Sequence, residues 1–206
     1  MTIRLHKGDL PSLDAYPEKG AVAVDTETMG LQPHRDRLCV VQLSLGDGSV
    51  DVVQIAQSQT EAPNLARLLS DPDRVKIFHF ARFDIAALKN GLGIDTNPVF
   101  CTKIASKLVR TYTDRHGLKD LARELIGVEM SKQQQSSDWG AEELSEAQLN
   151  YAASDVLYLH AMRNELVIRL EREGRTEIAR ACYEFLPTRA ALDLAGWSEV
   201  DIFAHS

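Results

Sequence analysis

The chain has 206 residues, with 23 Lys plus Arg against 30 Asp plus Glu and a formal net charge of −7 at pH 7. That length fits one domain with ample apolar content for a core, and the acidic balance argues against a protein that coats nucleic acid by bulk electrostatics. Cys39, Cys101 and Cys182 are odd in number and form no CxxC pair, which points to reduced thiols in a cytoplasmic protein and against a zinc site or a disulfide framework. No apolar run approaches the ~20 residues of a membrane span, and Met1 to Asp14 lacks the apolar segment of a signal peptide.

Residues 1–20 enter as an edge strand or loop, with Pro11 and Pro17 as breakers. Ala21 to Glu27 then reads as a strand buried on both faces, a run of Ala and Val leading straight into Asp25-Thr26-Glu27. Leu38 to Leu45 and Ser49 to Ile55 are two further strands. The Gly46-Asp47-Gly48 turn between them is a strong hairpin signal, so the first strands form an antiparallel meander. A short helix covers Asn64 to Leu69. Val75 to Phe80 is a fourth strand that passes into a helix ended by Gly91 and Gly93, and Val99 to Phe100 is a short fifth. Helices follow at 102–109 and 117–126, then a polar loop at 131–137. Two long helices close the chain at 145–170 and 176–194, the first opened by the capping box Ser145-Glu-Ala-Gln148.

Three places along this pattern carry acids that chemistry can use. Asp25 and Glu27 are two apart on a strand, so they share a face, and two carboxylates at a buried strand end repel each other unless a hard divalent cation joins them. Asp84 falls in the first turns of the helix after the fourth strand, where favourable interaction with the helix dipole is the structural alternative. Tyr151 and Asp155 are four apart on one helical face. Among Ala153, Val156 and Leu157, Asp155 is costly to bury without a partner.

The ordered set Asp25-x-Glu27, Asp84 and Tyr151-x-x-x-Asp155 resembles the DEDD-family 3′→5′ exonucleases of the tyrosine subtype, and most closely the ribonuclease D catalytic domain. Supporting text lies at 38–44 (LCVVQLS), 116–132 and 137–159, and the similarity covers roughly residues 20–165. The resemblance implies an α/β ribonuclease H-like fold with a mixed five-stranded sheet, one strand antiparallel, flanked by helices and followed by a helical C-terminus. It also implies two divalent cations, Mg²⁺ or Mn²⁺, ~3.5–4 Å apart. Asp25, Glu27 and Asp155 would hold the first, Asp25 would bridge to the second, and Asp84 would act on the second through its water shell. Tyr151 would orient the attacking water with Glu27. Thr28, Met29, Leu31, His79 and Tyr151 would contact substrate, Leu31 as a wedge against the last base; for His79, packing is the alternative. Phe80 departs from the Asn of some proofreading relatives, and Cys101 precedes Thr102 where ribonuclease D relatives often show Asp-Thr.

The activity so implied is stepwise hydrolysis from the 3′ end of single-stranded RNA to nucleoside 5′-monophosphates, with tRNA or small-RNA 3′ processing as its setting. A single exonuclease domain over 1–206 is expected, with a core at about 20–165, a C-terminal extension and no separate helical RNA-binding domain. Residues 175–206 would cover the core or form a dimer contact. Lys103, Lys107, Arg110, Arg115 and Lys119 form either a solvated helical face or a track for the RNA backbone. Cleavage of DNA instead of RNA, and a nuclease-like module that binds without cleaving, are the alternatives. A haloacid dehalogenase-type phosphatase also starts from Asp at a buried strand end, and GDGSVD at 46–51 fits its second motif, but that stretch falls inside the expected hairpin.

Overall fold

The structure is a computed structural model describing residues 1–131, 134 and 136–205. Its strands are β1 (Thr2–Lys7), β2 (Val22–Thr28), β3 (Leu38–Ser44), β4 (Ser49–Gln54), β5 (Lys76–Phe78) and β6 (Val99–Cys101). They form one sheet in the order β1-β4-β3-β2-β5-β6. β3 runs antiparallel to both of its neighbours, and the pairs β1–β4, β2–β5 and β5–β6 are parallel. The mixed sheet with one antiparallel strand is therefore as expected.

The edge strand expected as one reading of residues 1–20 is β1, which pairs with β4 from Thr2↔Ser49 to Lys7↔Gln54 and takes the strand count from the expected five to six among the described residues. The cause lies far away in sequence. Asp51 of β4 accepts hydrogen bonds from Arg4 (2.7 Å) and Tyr16 (2.7 Å) and pairs with His6 (2.8 Å), while the Lys7 ammonium donates to Gln54. This use of Asp51 also disposes of the phosphatase motif, since GDGSVD is hairpin and strand.

The helices are α1 (Pro63–Leu69), α2 (Ala81–Leu92), α3 (Thr102–Val109), α4 (Leu118–Ile126), α5 (Glu146–Leu157), α6 (Leu159–Arg172) and α7 (Thr176–Leu192), with a π-helical turn at Asp193–Trp197. The expected helix 145–170 is in fact two, α5 and α6, divided at Tyr158 (φ −103°, ψ −2°) with no Gly or Pro to announce the break. Of the expected polar loop at 131–137, residues 132, 133 and 135 lie outside the described residues. No helix among the described residues is long and apolar enough to cross a membrane.

Packing explains the patterning. Val22, Ala23 and Val24 of β2 and Val40, Val41 and Leu43 of β3 are fully buried, as central strands covered on both faces must be. α5 lies across β2, β3 and β4, and α2 across β2, β5 and β6. α7 packs on α2, α3 and β6, where Tyr183 meets Phe100 at 4.9 Å between ring centroids; at least this part of the C-terminal region covers the core. At the β3–β4 turn Gly46 has φ +79° and a Cβ there would sit 2.9 Å from the His160 ring, so a side chain is excluded twice over.

The start of α5 has the expected capping box: Gln148 N donates to Ser145 Oγ (3.2 Å) and Ser145 N donates to Gln148 Oε1 (2.9 Å). Ser145→Ala should therefore cost about 1 kcal/mol in urea denaturation, and lower the melting temperature by about 2–4 °C.

Candidate active site

β2 delivers Asp25 and Glu27 at its C-terminal end, and α5 brings Asp155 to them. One carboxylate oxygen from each of the three lies within 4.8 Å of the others. Asp84 arrives from the first turn of α2 and is tied to the same strand, because Thr26 Oγ1 donates to Asp84 Oδ1 at 2.7 Å. Thr26 alternates with Asp25 and Glu27 along β2, so one strand holds all four acids in register from its two faces. Tyr151 lies one turn before Asp155 on α5, where it favours the ionised form of that carboxylate, and its ring stands 6.0 Å from that of Trp139.

Asp84 and Asp155 are buried, while Asp25 and Glu27 are partly open to a cleft of about 700 Å³. Burial, then repulsion from Asp84, Asp155 and Glu27, raises the Asp25 carboxyl well above the usual carboxylate range. Burial and the charges of Asp155 and Asp84 push Glu27 up to about 9. Burial likewise takes Asp84 and Asp155 to about 7, although the Thr26 hydrogen bond opposes the shift at Asp84 and Tyr151 opposes it at Asp155. An oxygen-only donor set that repels itself is what a hard divalent cation fits. Burial and the neighbouring Asp155 charge also raise Tyr151, which keeps its proton at neutral pH.

The expected substrate residues gather at the same cleft. Thr28, Met29, Leu31, His79 and Tyr151 all line it. Met29 is 53% and Leu31 80% exposed, large apolar side chains standing free at the rim. The Thr28 hydroxyl is turned back onto the Gly30 carbonyl. His79 is locked in place, its Nδ1 at 2.9 Å from Thr102 Oγ1, and burial, then the Lys103 charge, lowers it to about 3. It is a neutral ring and offers no cation to a phosphate.

The basic strip divides. Lys103 and Lys119 line the cleft, and Lys107 and Arg115 are exposed. Arg110 is 1% exposed, paired through its guanidinium with Glu124 and bonded to Ser106, so it belongs to the scaffold and not to any track. Phe80 was legible only as a departure from relatives. It caps α2 in the left-handed region (φ 72°, ψ 43°), which costs a bulky residue energy, and presents its ring to the cleft with the Lys103 ammonium 4.2 Å from the centroid. No local pattern in the sequence encodes that backbone conformation.

The profile of the 3′-5′ exonuclease family matches residues 12–171. The chain belongs to this family. Among curated relatives, the ribonuclease D of Gluconacetobacter diazotrophicus is 39% identical over 156 residues, covering 76% of this chain and 39% of that protein. The chain thus spans about two fifths of the length of the ribonucleases D it matches. Brucella melitensis NrnC, solved with bound Mg²⁺, is 64% identical with a TM-score of 0.96, and both chains are covered completely. The same protein bound to pGG is equally similar, at 64% identity and a TM-score of 0.97. Escherichia coli RNase D, at 24% identity and a TM-score of 0.80 over 92% of this chain and 51% of that one, shares the fold.

The electrostatics of the four acids set a pH dependence. Their folded pKa values lie above those of the unfolded chain, so the folded state holds protons that the unfolded state releases, and stability falls as pH rises from about 4 towards 9. With EDTA present, Asp155→Asn should be more resistant to urea than the unaltered protein, by a margin that grows between about pH 5 and about pH 8. A margin constant with pH would mean that burial does not hold Asp155 above its ordinary pKa.

Proposed function

We propose that this chain is a metal-dependent 3′→5′ exoribonuclease releasing nucleoside 5′-monophosphates from single-stranded RNA. The observation that carries the reading is the meeting of Asp25, Glu27 and Asp155 within 4.8 Å at the floor of an open cleft. Two divalent cations, Mg²⁺ or Mn²⁺, are the proposed cofactors, with Asp25, Glu27 and Asp155 around one and Asp25 and Asp84 towards the other. When bound, they supply Lewis acidity for the phosphodiester and a water of lowered pKa.

The protein's own groups then have distinct tasks. Tyr151 keeps its proton, so it acts as a donor that orients, together with Glu27, the attacking water; it is no general base. Thr26 holds Asp84 by a hydrogen bond, which fixes one carboxylate before any substrate enters. Leu31 and Met29, exposed at the rim, offer apolar contact to the terminal base, and Thr28 shapes their turn through Gly30. Neutral His79 contributes a hydrogen-bonding ring edge to the cleft wall.

RNA is preferred in this reading because ribonucleases D recur among the curated relatives, beside a DNA polymerase I, and the NrnC complex with pGG extends it to short oligonucleotides. Processing of tRNA or small-RNA 3′ ends in the cytoplasm is the proposed setting, carried out by one exonuclease unit over 1–206.

Two 5′-labelled oligonucleotides of one sequence, RNA and DNA, test the proposal with Mg²⁺ or Mn²⁺. The expected result is a ladder shrinking from the 3′ end, faster on RNA, abolished by EDTA and reduced about 100-fold or more in Asp155→Asn. Intact oligonucleotides with either metal would leave a binding module as the better reading.

A further inference from the structure

Gln42 stands on β3 directly opposite Asp25 of β2 and opposite Val52 of β4. Directly opposed residues of an antiparallel pair share a face, so the Gln42 side chain lies on the Asp25 side of the sheet. That is the side α5 covers, since Asp155 meets Asp25 and Glu27 there. Gln42 is 0% exposed, and neither its Oε1 nor its Nε2 has a hydrogen-bond partner among the described residues.

The other buried glutamines are used differently. Gln54 donates to the Ala141 carbonyl (2.7 Å), and Gln148 donates to the Asp138 carbonyl (3.0 Å) while completing the α5 cap. An amide buried without a partner costs about 1–3 kcal/mol, a cost that a leucine or methionine of similar volume avoids. The neighbours of Gln42 along β3, Val40, Val41 and Leu43, are apolar and fully buried, as is Val52 across the ladder. Asp25 is the polar group opposite it. Opposed Cβ atoms are about 4.5–5.5 Å apart, a span the glutamine side chain covers.

We infer that Gln42 is a positioning residue for Asp25 on cation binding: its amide N–H, without a partner in this structure, turns to the carboxylate opposite it and fixes the orientation a divalent cation requires. The inference rests on the metal site proposed above. A carboxylate shared between cations needs its orientation fixed, and groups behind the ligands commonly do this. Glu27, by contrast, faces Val40 in the same register and has no such neighbour.

Calorimetric titration with Mn²⁺, beside melting in EDTA, tests this on the unaltered protein, Asp25→Asn, Gln42→Leu and Gln42→Met. The expected outcome is binding lost in Asp25→Asn and weakened about 10-fold or more in both Gln42 variants, whose EDTA melting temperatures stay at or above the original. Unchanged Mn²⁺ affinity in the Gln42 variants would overturn the inference and leave the metal site standing. So would weaker binding that merely accompanies a lower EDTA melting temperature, which marks a packing role. If the unaltered protein fails to bind Mn²⁺, the metal site falls and the inference falls with it.

Discussion

Like charges gathered at the end of a buried strand are the constraint on which this structure turns. Asp25, Glu27, Asp84 and Asp155 come from three elements into one desolvated place, and every one of them is pushed above its ordinary pKa. Taken alone such a cluster opposes folding. It persists because the apolar core is committed elsewhere: β2 and β3 are packed on both faces, and α2 and α5 are fixed by Leu88, Ile85, Val156 and Ala152, all nearly inaccessible. The scaffold holds the acids against their repulsion, and a cation would convert that repulsion into attraction.

The sheet register translates this into position. Because β3 is antiparallel to β2, residues 38–44 run back beside the acids and place Val40 and Gln42 next to Glu27 and Asp25. Because β5 is parallel to β2, the chain leaves β5 at the same end of the sheet and enters α2 through the left-handed Phe80, so that Asp84 reaches Thr26 within the helix's first turn. A right-handed residue at position 80 would send the helix in another direction. The strain at Phe80 and the placement of Asp84 are two aspects of one turn.

Much of this was legible because the signals are local. Period-two alternation, the Gly46-Asp47-Gly48 turn, the Ser145 capping box and the four-residue spacing of Tyr151 and Asp155 each report on neighbours in sequence. What escaped depends on distant partners. Residues 1–20 admit an edge strand or a loop by sequence, and the strand prevails because Asp51 collects Arg4, His6 and Tyr16 from 35 or more residues away. Arg110 resembles any surface base in sequence, and only the fold brings Glu124 and Ser106 around it. The break at Tyr158 and the backbone of Phe80 follow from tertiary packing, which no window of sequence contains. Gln42 belongs to the LCVVQLS stretch, yet its burial opposite Asp25 requires the register.

The charge balance also takes a different meaning once the fold is known. An overall net charge of −7 sets the field at long range, and it repels a polyanion. Close to the acids the balance is local: Lys103 and Lys119 line the cleft, and Lys119 favours the ionised form of Asp155. Arg110 and Arg82 are spent on Glu124 and Asp193, inside the scaffold. Among the described residues few cations thus face the cleft, while Leu31, Met29 and Phe80 present apolar and aromatic surface to it. For the proposed substrate, the grip then falls on the bases near one end and on the metal-held phosphate, with little from an extended backbone track. That division suits an enzyme that reads a strand's terminus, because bulk attraction would favour internal sites over ends.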